Sequence, residues 1–597
     1  MNSKKSIMKK IATIGLVFLA IGAITALLFS MIANLSLIEI ASNVVFWLTS
    51  IEITVVVFFM TAITKRLNSQ NGKSSAKKKQ GGNVSFIGAE TIEWKTLPLR
   101  NTAGIIVGTE LINERNKKGV TEKLVTTTVD GSNALAFATN KIGAEACFLD
   151  ENIIAQSLAA EKSNLCIFSS DVELFEKHAD GLEKKGYDVY LLNFDEPFRS
   201  NRWNPFDVLK ERIKLITEFE KSLKNQSGTY HTVRESFQTY KDARTRLDEL
   251  YTELQSKIRS IVETVVHSDS NECKARQHTS EFIVTFIVAM SEDCISGKFG
   301  VEKINLLNVR NNLQKYMTEN IPVLKRYLVD SRDSHSKARP IVEDLFFDNK
   351  KMQESVADVK EAFSPITDSV TTLTCCGDVD VLSNRPKAIF IVSSNNVSWN
   401  GRLVDLFMEQ LYDSAADKRF LRMTEPEIHK TAYFFDGFFG IPYWSRLNDA
   451  LKDGESKVFM AVRNKSDIKE KYDETDAMEL VDSFDIKCLV DSMDIRVRNE
   501  FYDACKRGKD DDMSMEIINE EELSGDGNLV VYSEKNHPTL FKVLPSYKLK
   551  SVFFVARKSV SDLDIGFPDF RSAYLDIGFK THRAKNHKRE RREVGTM

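Results

Sequence analysis

Cysteine is scarce in this chain: eight in 597 residues, none in a paired metal-binding spacing. The one adjacent pair, Cys375-Cys376, is not a C-x-x-C. Neither a zinc site nor a disulfide scaffold is expected, and the cysteine-bearing part belongs in a reducing compartment. Excess charge of either sign is also missing. Lys and Arg number 82 against 85 Asp and Glu, a net of -3. That total excludes no partner, because local runs govern binding. The nine histidines are scattered, so no Ser-His-Asp, Cys-His or paired-carboxylate arrangement can be drawn. No internal repeat is visible. The rest is ordinary globular composition, 42% hydrophobic and 28% charged, which excludes a wholly disordered, collagenous or fibrous chain.

Charge is absent from Ile11 to Ile38, 28 positions. About 20 apolar residues span a bilayer. Ile40 to Thr64 is a second apolar stretch with one charge, Glu52. The pattern predicts two transmembrane helices within 1–66, over about 11–33 and 40–64. A cleavable signal peptide has a shorter apolar core and no second stretch so close behind. Lys4, Lys5, Lys9 and Lys10 precede the first stretch, Lys65 and Arg66 follow the second, and neither Lys nor Arg lies between them. The positive-inside rule then places both termini in the cytoplasm. Glu52 has two readings: a protonated side chain facing the sister helix, or a contact to another membrane protein or subunit.

Residues 67–83 form a basic Gly/Ser/Lys-rich linker that is solvated or lies against anionic headgroups. Beyond it the pattern is α/β. Short apolar runs at Ala134–Ala138, Leu165–Ser169, Asp188–Asn193, Ala388–Val392, Ala432–Phe435, Lys457–Val462 and Ile486–Val490 alternate with helical stretches, which implies a largely parallel sheet. Between Asn193 and Ala388 no strand pattern occurs. This predicts an all-α insertion at 207–385 between two halves of one domain, 84–206 and 386–558. Short strands are expected near Asn528–Tyr532, Leu540–Leu544 and Ser551–Ala556. Residues 559–597 read as a tail whose basic run (Arg583, Lys585, Lys588, Arg589, Arg591, Arg592) could contact nucleic acid or membrane, or simply aid solubility.

A parallel sheet binds ligands beyond the carboxyl ends of its strands. The first strand runs into Thr139-Asn140-Lys141-Ile142-Gly143-Ala144-Glu145 and then a helix. A phosphate loop there needs several glycines, a Lys directly after the last one, and then Ser or Thr for magnesium. Gly143 is the only glycine, Ala144 stands at the lysine position and Glu145 at the hydroxyl position. A carboxylate in a first helical turn takes up the attraction a phosphate would use. Lys141 lies on the shoulder of this loop. Thr431 to Asp436 is an apolar strand ending in Asp, like a magnesium-orienting strand, but Gly437 stands where a hydrolase carries Glu. Asp436 also suits an ordinary turn after a strand.

The chain resembles the coupling proteins of type IV secretion and conjugation systems, the TraG-like membrane ATPases. Gly186-Tyr187-Asp188-Val189-Tyr190-Leu191-Leu192-Asn193 followed by Asn204-Pro205-Phe206 is similar to that family's G-Y-x-V-x-x-L-N and N-P-[FL]. Asp378-Val379-Asp380, the run Pro386 to Val392, Asp405-Leu406-Phe407 and Gln410-Leu411-Tyr412 resemble the stretch after its all-α domain. Asp436-Gly437-Phe438 with Ile441-Pro442 is similar to D-E-F…I-P, and Pro538, Phe541-Lys542 and Tyr547 to the closing strand pair. The departures fall at the chemistry. G-K-[ST] reads Gly143-Ala144-Glu145, D-P-K-G-E reads Ser169-Ser170-Asp171-Val172-Glu173, D-E reads Asp436-Gly437, and the γ-phosphate-sensing Gln reads Arg463.

The resemblance implies a RecA-like P-loop-type parallel sheet with an all-α insertion, at a bacterial inner membrane. The implied partners are secretion-channel subunits, a relaxase or accessory proteins, and DNA, in a homo- or mixed hexamer. With the departures, the expectation is a non-hydrolysing adaptor or substrate receptor. An active ATP-driven motor would need relocated residues, Lys141 for the phosphates and Asp436 for magnesium; ATP and Mg enter only then. An unrelated two-helix membrane scaffold is the third reading.

Overall fold

The computed structural model describes residues 86–578 except 87, 117–118, 225–239, 267–272, 344–345, 347–348, 364–365, 395–397, 422–428, 492–494, 508–526, 534–535, 550–557 and 561–572. Among the described residues no helix is long and apolar enough to cross a membrane, so the two-pass inner-membrane placement is withdrawn. The segments 11–33 and 40–64 on which it rested lie outside the described residues, as do the linker, Glu52 and the basic run 583–592.

Two sheets are present among the described residues. The smaller is antiparallel, ordered β1-β3-β2, with β1 Glu90–Glu93, β2 Ile105–Asn116 and β3 Gly119–Val129. Sequence reading placed no strands here. These long strands carry charged and Thr residues among the apolar ones, so no compact apolar run marks them.

The larger sheet has nine strands: β4 Asn133–Ala138, β5 Asn164–Ser169, β6 Asp188–Asn193, β7 Lys387–Val392, β8 Thr431–Asp436, β9 Lys457–Val462, β10 Ile486–Asp491, β11 Asn528–Ser533 and β12 Asn536–Lys542. Their order is β12-β11-β10-β4-β9-β8-β5-β7-β6. The seven strands from β10 to β6 run parallel, and β11 and β12 close one edge antiparallel. The parallel strands read as apolar runs because both faces are covered. Alternate residues feed two cores. Leu135, Phe137, Cys166, Phe168, Tyr433 and Phe435 enter one, and Ala134, Ala136, Leu165, Ile167, Ala432 and Phe434 the other.

The helices that matter below are α1, which joins Lys141–Ala144, a π-turn Glu145–Leu149 and Asp150–Leu158, and α2, Glu173–Lys184. Then come α3 Lys210–Lys224, α4 Tyr240–Val266, α5 Cys273–Ile295, α6 Leu306–Glu319, α7 Asn349–Phe363, α8 Asp368–Thr374 and α9 Ser398–Phe420. Between β6 and β7 the described elements are all helical. Their apolar faces share one core with the first face of the sheet, from Ile213 and Leu254 through Phe286 and Leu313 to Phe168 and Phe435.

Candidate functional site

The carboxyl ends of β4, β5 and β8 converge on Lys141. The passage from β4 to α1 takes only two residues, Thr139 and Asn140. Asn140 is the N-cap: its Oδ1 accepts the Gly143 N–H at 2.6 Å, and its carbonyl accepts from Ala144 N at 3.2 Å. The Gly143 amide, one of those a phosphate loop would leave open, is thus already used by the cap. Gly143 and Ala144 lie within the first helical turn.

Lys141 points across the strand ends. Its ammonium is 3.3 Å from Glu145 Oε1, 3.5 Å from Asp436 Oδ2 and 3.9 Å from Glu173 Oε2, and it donates a hydrogen bond to Asp171 Oδ2. Burial pulls the ammonium down, but the Asp171 hydrogen bond and the Asp436 and Glu145 charges outweigh it, so it is held above the ordinary lysine value. Asp436 is wholly buried at the end of β8. It accepts from Ser169 Oγ at 3.2 Å and from the Phe438 N–H at 3.4 Å, and burial raises its carboxyl.

Glu145 sits at the start of the π-turn and is buried. Its Oε1 forms the Lys141 ion pair but receives no hydrogen bond, and its Oε2 lies 3.8 Å from the Lys177 ammonium. Burial pushes the Glu145 carboxyl up to about 7, against the pull of Lys141 and Lys177. The folded value lies above the unfolded one, near 4.5, so the native state holds the proton more tightly. The resulting stabilisation is complete below about pH 4.5 and is lost as pH rises through 7, about 3 kcal/mol in all. Urea unfolding of Glu145→Gln across that window should show a flatter pH dependence than the parent chain; an unchanged slope would exclude Glu145 as its source.

One turn further on, Asp150 is fully buried. His178 Nε2 lies 2.7 Å from its Oδ1, and Ser546 Oγ donates to its Oδ2 at 2.5 Å. The Lys177 ammonium pairs with the same Oδ2. The three side chains do not form a nucleophilic relay, because the serine bonds to the aspartate and not to the imidazole. They tie α1, α2 and the turn after β12 together. Sequence reading missed this cluster, since its partners are 28 and 396 positions away and no local signal links them.

No family model matches the sequence, and no curated protein matches it. The chain is similar to solved structures of the plasmid coupling protein TrwB. With a non-hydrolysable GTP analogue, that protein gives a TM-score of 0.42 at 11% identity, over 81% of this chain and 99% of that one. The unbound TrwBdeltaN70 form gives 0.43 at 12%, over 81% and 99%. VirB4 of Thermoanaerobacter pseudethanolicus gives 0.38 at 10%, over 75% and 98%.

Gly437 donates its N–H to the Ala461 carbonyl at 2.8 Å. A Cβ at position 437 would lie 2.7 Å from that oxygen, 2.8 Å from Ile441 Cγ2 and 2.9 Å from Val462 Cγ1, so the position has no room for a glutamate. Arg463 pairs with Asp467 at 2.9 Å on its own turn, where Asn464 and Asp467 form a capping box. The structure therefore brings Lys141, Glu145 and Asp436 together and leaves Arg463 bonded locally. Around the Lys141 cation stand the carboxylates of Glu145, Asp171 and Asp436, the Asn140 cap takes the Gly143 amide, and Ile142 rather than a hydroxyl follows Lys141.

Proposed function

We propose that this chain is a coupling-protein-like component of a type IV secretion or conjugative transfer apparatus, and that it acts as a non-hydrolysing adaptor or substrate receptor. The observation that carries the reading is the Lys141 cluster. A partly buried ion-pair set, with Glu145 and Asp436 buried and Asp171 and Glu173 about half exposed, occupies the ground beyond β4 where a nucleotide's phosphates would lie, while the surrounding parallel sheet is kept. The ordered strings from Gly186 to Tyr547 support the family assignment. Channel subunits, a relaxase, DNA and hexamer-forming paralogues are the partners this reading names.

A second reading has one observation in its favour. Lys141 and Asp436, the pair a relocated motor needs, are 3.5 Å apart. One experiment separates the two. A ligand at 100 times its dissociation constant adds about 2.7 kcal/mol to a folded protein. The adaptor reading expects millimolar ATP with magnesium to leave the thermal midpoint unchanged and phosphate release at background. Turnover by the parent chain that disappears in a Lys141→Ala variant shown by thermal unfolding to be folded would establish the motor instead.

A further inference from the structure

The five residues Leu-Asp-Ile-Gly-Phe occur twice near the end of the chain, at 563–567 and at 575–579. This repeat corrects the reading that the sequence has none; its period is far shorter than the 20–50 residues of domain-building repeats. The second copy is seated on α6. Asn305, Asn308 and Asn312, all buried, form one stripe along that helix. Asn305 and Asn308 donate to the Ala573 carbonyl at 3.2 and 2.6 Å. Asn308 accepts the Leu575 N–H at 2.8 Å, and Asn312 donates to the Leu575 carbonyl at 2.7 Å and accepts the Ile577 N–H at 3.0 Å. The bonded residues alternate, as in an extended strand.

Backbone bonds of this kind hold any extended peptide, and the side chains add the selection. Leu575 and Ile577 pack against the helical core. Asp576 pairs with Lys315 at 2.7 Å and accepts a hydrogen bond from Tyr316 Oη. A Cβ at Gly578 would meet Tyr316 Oη at 1.9 Å, so only glycine fits there without moving the ring. Every residue read in this way recurs in Leu563-Asp564-Ile565-Gly566.

We propose that the α6 stripe is a peptide-binding site for extended Leu-Asp-Ile-Gly segments, and that its partner is the Leu563–Gly566 segment of a second copy of this chain. Residues 558–560 are held on the body of the protein: the Lys558 N–H bonds to the Glu176 carbonyl, and Val560 packs in the second core. Leu563 follows Val560 by three residues, a reach of at most about 10 Å from that anchor. One groove faces two motifs, and the chain's own Leu575–Gly578 segment competes for it.

The test uses the full chain. Asp576→Lys places a cation against Lys315 and clears each groove while sparing the 563–566 copy. Sedimentation velocity should then show self-association at least tenfold stronger than in the parent, abolished by adding Asp564→Lys. A labelled peptide of residues 561–568 should bind that double variant, and Asn312→Ala should weaken the binding at least tenfold. Thermal unfolding of each variant controls for folding. A monomeric Asp576→Lys chain would overturn the second-copy partner, and a peptide that does not bind the double variant would overturn the site itself.

Discussion

Lys141→Met is expected to lower the unfolding free energy by up to about 3–5 kcal/mol, the cost of removing one partner from a buried ionic set, reduced here because Asp171 and Glu173 are about half exposed and screened by water. The substitution keeps length and apolar stem, so the loss reports charge. Asp436 and Glu145, both buried, would face Asp171 across the strand ends with no cation between them. Adding Glu145→Gln should recover part of the loss, with a coupling of about 0.5–3 kcal/mol between the two sites. Urea denaturation of the parent, both single variants and the double variant gives the cycle. A strictly additive result, or a Lys141→Met chain as stable as the parent, would mean that the ammonium is not what holds these carboxylates. A lysine kept free for a phosphate would not show such a penalty, so this measurement also bears on the adaptor reading.

The second large effect is expected at Asp150. Asp150→Ala removes the nearer carboxylate from the Lys177 ammonium, leaving Glu145 Oε2 at 3.8 Å, unties both His178 and Ser546, and should cost about 3–5 kcal/mol. Its pH behaviour runs opposite to that of Glu145. Burial raises the Asp150 carboxyl, but the His178 hydrogen bond and the His178 and Lys177 charges overcome it, so the folded value lies below the ordinary one. A depressed folded value contributes stability above the unfolded pKa and loses it as pH falls through the folded one. Below pH 4 the difference between Asp150→Ala and the parent should therefore shrink, as followed by thermal unfolding at stepped pH. A difference that stays constant into acid would place the cost in lost packing instead.

Much of the sheet was legible before any coordinates. Parallel strands buried on both faces must be apolar at nearly every position, so NALAFA, NLCIFS, KAIFIV, TAYFFD and KVFMAV stand out as short runs. The antiparallel strands β1 to β3 did not stand out, because a half-exposed strand need not be apolar on its open side. At the candidate site, the missing glycines and the acidic Glu145 were visible in the sequence. The two-residue turn, the Asn140 cap and the closed space at Gly437 were not.

The sequence by itself determined the strands of the parallel sheet and the lack of a glycine-rich loop followed by lysine and hydroxyl, because these depend on residues within a few positions of one another. Only the tertiary structure decided which charges meet. Ser169 and Asp436 touch across 267 positions because β5 and β8 are neighbours in the sheet, and Asp150 meets Ser546 across 396. Strand order sets those meetings, and burial removes the water that would otherwise screen them. No local pattern of residues records either.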